Sequence, residues 1–257
     1  MSPKRLQTFH YHACAHAFSG TFTRPFHHQI DIQAASALPI TGGHGHARVE
    51  KFQFREFISF ERGYSHVSGG LQVDDKSYNT LATAVLEGLN MFDIFTADRI
   101  VSRLYSKHPE PDAEGKITWV GSKFENVRVA GCELNIELHH DLFKELLTFE
   151  HAKEAFEKNT EFRKIAEDPL DSGAKLKPSE LDGAILCSIV KKIEAKDPRV
   201  EINGHQIYVP GFGRVYLGEL LIKKNEKTLT MLRYELGSTT GGSGTGGGTK
   251  TNGQGWP

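Results

Sequence analysis

The sequence predicts a mainly β protein, an antiparallel β-sandwich or barrel with one helical insertion and a glycine-rich C-terminal tail. Three observations support this prediction. Apolar and polar residues alternate along most of the chain, which is typical of half-buried antiparallel strands. The alternation is lost at about 141–167, where apolar residues recur at helical spacing. Beyond Leu236 apolar residues almost disappear. We therefore expect a single domain over residues 1–236 and a tail over residues 237–257.

The first predicted strand is TFHYHACAHAFSG, near the N-terminus. Because successive strand side chains point to opposite faces, four residues that can bind metals share one face, and the apolar residues share the other. These four are His10, His12, Cys14 and His16. In the next strand, HQIDIQA, the same alternation places Ile30 and Ile32 inward. In the aromatic segment from Arg48 to Arg62 the phase changes near Glu56 and Phe57, which predicts a β-bulge.

Short turn signals predict hairpins in the second half of the chain. VEINGHQIYV carries Asn203 and Gly204, the pair that a type I′ turn favours. VRVAGCEL turns around Gly131 and leads into the alternating strand CELNIELHH, and LLIKKNEKTLTML turns at Asn225. AILCSIVKKIE fits a helix or a strand, and its β-branched residues and alternation favour the strand.

The helical insertion has its own boundary signals. Asp141 is a suitable N-cap and Pro169 ends the run, so we expect one bent helix or two short ones. The tail, GSTTGGSGTGGGTKTNGQGWP, has few side chains to bury, so we expect it to be flexible. Its last residues, Trp256 and Pro257, would form an aromatic anchor on a neighbouring molecule.

Composition excludes several classes of function. The 31 basic and 32 acidic residues nearly cancel, which argues against nucleic-acid binding, and no apolar run is long enough to span a membrane. The N-terminus does not resemble a signal peptide, and the three cysteines form no CxxC pair, so reduced thiols are expected. Cys132 and Cys187 lie on the apolar faces of predicted strands, where thiols are buried and inert. These features favour a cytoplasmic protein, with export to the surface by a signal-independent route as the alternative.

Clustered histidines raise the hypothesis of a metal site. A His-x-His pair on a strand points both imidazoles the same way, and two such pairs from adjacent strands would complete a site for zinc, copper or iron. The candidate ligands are His10, His12, His16, His44 and His46. The alternative is that these residues form an ordinary polar sheet face. The chain has no G-x-S-x-G, G-x-G-x-x-G or P-loop motif, so no catalytic residue is predicted.

Three stretches resemble the choice-of-anchor P family of bacterial surface proteins: LEGLNMFDIFTADRIVSRL, GSKFENVRVAGCEL and VPGFGRVYLGELLIKKNEKTLTMLRYELG. The resemblance covers Leu86 to Gly237 discontinuously, with the helical stretch as an insertion. It implies an all-β domain of extracellular or assembly type, without catalytic residues to carry over. The signal peptide and anchoring C-terminus of that family have no counterpart in this sequence.

Three functions remain open at this point. The first is a structural, self-assembling protein, such as a homo-oligomer, shell or filament subunit, whose tail contacts a neighbour. The second is a metal-dependent enzyme on a cupin-like barrel that uses the clustered histidines. The third is a module that binds a small molecule or a carbohydrate.

Overall fold

Two antiparallel sheets pack face to face as a sandwich, in a computed structural model that describes residues 8–141, 148–167, 183–197, 199–237 and 240–256. Each sheet contains nine strands within these residues. The predicted mainly β class is confirmed. Of the two predicted architectures the sandwich is correct, because both sheets remain open and end in edge strands.

The first sheet, called sheet I, joins the two ends of the chain. Its strands are β1 (Thr8–Arg24), β2 (His28–Gln33), β3 (Ser36–Ala37), β12 (Ala184–Ser188), β14 (Glu201–Asn203), β15 (Gln206–Val209), β16 (Gly213–Lys223), β17 (Glu226–Leu236) and β18 (Gly241–Trp256). Their order is β14-β15-β16-β17-β18-β1-β2, with β12 paired to β16 and β3 paired to β1.

The second sheet, called sheet II, is built from the middle of the chain. Its strands are β4 (Gly43–Phe54), β5 (Ile58–Gln72), β6 (Ser77–Met91), β7 (Phe95–His108), β8 (Lys116–Thr118), β9 (Lys123–Glu125), β10 (Arg128–Val129), β11 (Cys132–Leu138) and β13 (Val190–Ala195). Their order is β13-β11-β10-β7-β6-β5-β4, with β8 and β9 paired to β7. The long strand β4 therefore forms one edge.

The predicted flexible tail is wrong for residues 241–256, because β18 lies in the interior of sheet I and pairs with β17 on one side and β1 on the other. The register explains why glycine suits this strand. Residues directly opposite each other share a face of the sheet, and glycines of β18 stand opposite four buried aromatic residues of β1. These pairs are Phe9 with Gly255, Tyr11 with Gly253, Phe18 with Gly246 and Phe22 with Gly242. The aromatic rings of the neighbouring strand thus supply the apolar surface that β18 lacks.

Three of the four predicted hairpin and strand signals are correct in position. Val129 pairs with Cys132 around Gly131, Lys223 pairs with Glu226 around Asn225, and AILCSIVKKIE forms β12 and β13. The fourth hairpin, β14–β15, is displaced by one residue. Asn203 pairs with Gln206, so Gly204 and His205 occupy the turn, and Gly204 has the left-handed φ of 58°.

Two predictions about side-chain phase are also wrong. The change of phase at Glu56 and Phe57 is the turn between β4 and β5, since Phe54 already pairs with Ile58. Ile30 is buried as predicted, but Ile32 is 59% exposed. Its strand shifts register against β1 between the pairs Phe18–Gln33 and Gly20–Ile30, and this irregularity turns Ile32 away from the core.

In the described part of the helical insertion there are two short helices, α1 (Phe149–Lys158) and α2 (Thr160–Glu167). Helix α1 begins eight residues after Asp141, and its N-cap is Thr148, whose hydroxyl accepts a hydrogen bond from the His151 N–H. Asp141 is therefore not the cap of α1. Residues 142–147, and the segment 168–182 that contains Pro169, lie outside the described residues.

The cysteines are separate free thiols, as expected. Cys187 is fully buried, and burial raises the pKa of its thiol. Cys132 is only partly buried and lies 3.5 Å from an Asp197 carboxylate oxygen, so the prediction that it is buried is wrong. Its strand β11 lies next to the edge strand β13.

Candidate functional site

The histidines of β1 share the outer face of sheet I, as the alternation predicted. His12 and Cys14 are exposed, and His10 and His16 are partly buried. His16 is held in place: its Nε2 lies 3.1 Å from Thr245 Oγ1, and its ring covers Gly248 of β18. Burial lowers the pKa of His16.

His44 and His46 lie on β4, where they point outward from sheet II. The two His-x-His pairs therefore face opposite surfaces of the sandwich, and the four-ligand site predicted from them does not form within one chain. Within the described part of the chain, no three His, Cys, Asp or Glu side chains are grouped so that they could hold a metal ion. The prediction was wrong because β4 pairs with β5 and not with β1.

The predicted anchor at the C-terminus is only partly described. The backbone of Trp256 pairs with Thr8 of the same chain, at the end of β18. Pro257 lies outside the described residues. The contact of these two residues with a neighbouring molecule stays a prediction.

The edge strand β4 is the first candidate functional feature. Eleven of its twelve residues pair with β5, and within the described part of the chain no other strand of sheet II lies on its other side. At its centre Arg48 and Glu50 form an ion pair on the outer face, and Arg62 of β5 lies 3.7 Å from the same carboxylate. Two exposed apolar side chains lie on the neighbouring segments: Ile32 on β2, which contacts β4, and Ile40 just before β4.

A cavity beside strand β16 of sheet I is the second candidate functional feature. Strand β16 changes its neighbour at Gly218: residues 213–216 pair with β15 and residues 219–223 pair with β12. Gly218 has a left-handed φ of 65°, which a side chain would disfavour. The two neighbours diverge at this point and leave a cavity of about 200 Å³, here called the fork cavity. Its polar lining consists of His139, Glu161, Lys164, Ser188, Lys191 and His205.

Two buried histidines line the fork cavity. His139 follows β11 and is 5% exposed. Its backbone N–H donates a hydrogen bond to the Ile189 carbonyl, where the chain crosses from β12 to β13. Burial lowers the pKa of His139. His205, in the turn of the β14–β15 hairpin, is 4% exposed. Its Nε2 has no hydrogen-bond partner within the described residues.

An ion pair between Arg233 and Glu219 lies beside His205. Arg233 donates two hydrogen bonds to the buried Glu219 carboxylate, at 2.7 and 2.8 Å, and its guanidinium lies over the Tyr216 ring at 3.6 Å. Burial raises the pKa of Glu219, but the bonds from Arg233 and the neighbouring His205 outweigh this effect, so the pKa lies below its usual value. His205 Nε2 is 3.6 Å from the same carboxylate, which is too long for a hydrogen bond.

The fork cavity adjoins a larger cleft of about 910 Å³, and both are lined by His139, Glu161 and Lys191. Sequence reasoning missed this site. Its residues come from β11, α2, β12–β13 and the β14–β15 turn, and no spacing in the sequence connects them. The Asn203–Gly204 signal located the hairpin, but a turn residue such as His205 is ordinarily exposed.

Comparisons with known proteins give a match to a family model. No helix in the described residues has both the length and the apolar character that a membrane span requires. No curated protein and no solved structure matches the chain. The model of a family described as a domain of unknown function, DUF8256, matches residues 9–173 and 167–223. This match does not test the resemblance to the choice-of-anchor P family. Because these matches span most of the chain, the protein belongs to the DUF8256 family.

Proposed function

We propose that this protein is a structural, self-assembling β protein whose copies associate through the edge strand β4. In this arrangement β4 of one copy pairs antiparallel with β4 of a second copy. Sheet II of one copy then continues into sheet II of the other. The observation that carries the proposal is the length of the strand: eleven of its twelve residues pair with β5, and no strand among the described residues pairs with its other side. An edge of this kind is a ready template for another strand.

The charges of β4 are complementary to themselves. If a twofold axis passes through Val49, antiparallel pairing places Arg48 of each copy opposite Glu50 of the other. Residues directly opposite in an antiparallel pair lie on the same face, and opposite charges there are stabilising. A twofold contact uses the same patch on both copies, so this one ion pair occurs twice.

Two further observations support association at this edge. Ile32 and Ile40 are 59% and 49% exposed, and burying apolar surface of this kind favours association. The net charge of −1 means that two copies do not repel each other strongly. The glycine-rich segment, in contrast, is used as β18 within its own chain.

Reversing one charge of β4 is the test. We expect Arg48→Glu or Glu50→Arg to weaken the dimer, because each variant creates two like-charge contacts across the axis. A combined cost of about 2 kcal/mol corresponds to about thirtyfold in Kd. The measurement is the molecular mass in solution over a dilution series, by light scattering.

The matched control is the double variant Arg48→Glu/Glu50→Arg, which restores opposite charges across the axis and should recover the wild-type mass. The single variants should keep the wild-type melting temperature when monomeric, since Arg48 and Glu50 are more than half exposed and such pairs contribute little. A wild-type protein that is monomeric at all concentrations, or a double variant as weak as the single ones, would overturn the proposal.

A further inference from the structure

We propose that the fork cavity binds a small hydroxylated carboxylate, such as a sugar acid or a hydroxy acid. This inference involves no residue of β4 and is independent of the proposed assembly. It rests on three observations: a buried imidazole whose Nε2 makes no hydrogen bond within the described residues, the balance of charges around the cavity, and the size of the cavity.

The imidazole of His205 points to a polar ligand. Buried polar side-chain atoms are nearly always hydrogen-bonded, to protein or to another molecule, and an exception needs an explanation. His205 is 96% buried, and its Nε2 lacks a hydrogen-bond partner within the described residues. The nearest carboxylate, Glu219, is bonded to Arg233 and lies 3.6 Å from His205 Nε2, which is beyond hydrogen-bond distance. His205 lines the cavity, and a ligand atom there would supply the hydrogen-bond partner that its imidazole lacks in the described part of the chain.

The charged side chains around the cavity favour a ligand with a single negative charge. Lys164 of α2 and Lys191 of β13 line it, against one carboxylate, Glu161. Lys191 lies 3.7 Å from Glu137 and is more than half exposed, so its ammonium is free to reorient toward a ligand. Ammonium groups donate hydrogen bonds only, which suits a carboxylate.

The remaining polar groups suit hydroxyls. A neutral imidazole offers one donor and one acceptor, and a carboxylate such as Glu161 accepts hydrogen bonds from hydroxyl groups. Burial lowers the pKa of His139, which favours its neutral form. The cavity of about 200 Å³ is smaller than the sites of about 300–1,000 Å³ that hold drug-sized ligands. A small ligand therefore fits, and a longer one can extend into the adjoining cleft.

The test is titration of the full-length protein with glucuronate by isothermal calorimetry. We expect saturable binding of glucuronate, and binding at least tenfold weaker for glucose, which lacks the carboxylate, and for acetate, which lacks the hydroxyls. Lys191→Met and His205→Gln should each weaken glucuronate binding at least tenfold. Lys192→Met is the matched control, because Lys192 is the next residue of β13 and pairs with Glu194 away from the cavity.

His205 is buried, so its variant needs a check of folding by its melting temperature. Lys191 is at the surface, and its variant keeps the test decisive even if His205→Gln is unstable. The proposal is overturned if glucuronate does not bind, if glucose or acetate binds as tightly, or if Lys192→Met loses as much affinity as Lys191→Met.

Discussion

A chain that ends at Gly237, and so lacks β18, should not fold. Strand β18 is hydrogen-bonded to β17 on one side and to β1 on the other over most of its length. Without it, sheet I would separate into two pieces, and the buried backbone groups of both neighbours would lose their partners. We expect the truncated chain to show no cooperative thermal transition and no near-ultraviolet circular dichroism of packed aromatic residues.

The control for this truncation is removal of Pro257 alone, which leaves β18 intact and should keep the wild-type transition. If the chain that ends at Gly237 melts cooperatively at the wild-type temperature, β18 is not an integral strand. The glycine-rich segment would then be the flexible tail that its composition suggests.

Gly244→Ala is a point substitution with a large expected effect. A Cβ at this position would lie 2.3 Å from the backbone oxygen of Ser19 and 2.4 Å from Tyr234 Oη. Neither group can move easily, because Ser19 belongs to the paired strand β1 and Tyr234 is 1% exposed in the core, stacked on Phe18. Overpacking of this kind costs up to about 3 kcal/mol, which lowers the melting temperature by about 6–12 °C in a protein of this size.

Gly246→Ala is the matched control, on the same strand and the same face. Its added Cβ would meet the nearest atom, a terminal methyl of Leu232, at 3.3 Å, and a side-chain methyl can yield by a few tenths of an ångström. We expect its melting temperature to stay within a few degrees of the wild type. Equal losses for the two substitutions would contradict the packing of Tyr234 across β18.

The local features of this fold could be predicted from the sequence because they depend on neighbouring residues. Alternation in CELNIELHH and turn signals such as Ala130–Gly131 and Asn225 are properties of a few adjacent positions, and the structure confirms them. The helical insertion was also recognisable from its period. Helix α1 is capped by Thr148 and not by Asp141, and residues 142–147 between them lie outside the described part of the chain.

The long-range pairing could not be predicted in the same way. Glycine-rich composition normally indicates flexibility, and β18 is ordered only because β1 and β17 bring Phe9, Phe18 and Tyr234 across it. The joint site of the two His-x-His pairs was wrongly predicted for a related reason. The sequence shows that His10 and His12 share a face, and likewise His44 and His46, but not that the two strands belong to different sheets.

The fork cavity depends on a still less local event. Its histidines, His139 and His205, are brought together because β16 exchanges β15 for β12 at Gly218 and the chain crosses between sheets at Ile189. Each of these residues looks ordinary in its own segment. Only the tertiary arrangement buries both imidazoles beside the same gap.

The most direct test of association through β4 is hydrogen–deuterium exchange of residues 43–54 in the wild-type protein at high and low concentration. Backbone amides exchange slowly when a second strand bonds to them and rapidly when they face solvent. We predict that amides on the open side of β4 become protected as the concentration rises, while those of the opposite edge strand β13 do not change. Exchange of β4 that is rapid and independent of concentration would contradict the account.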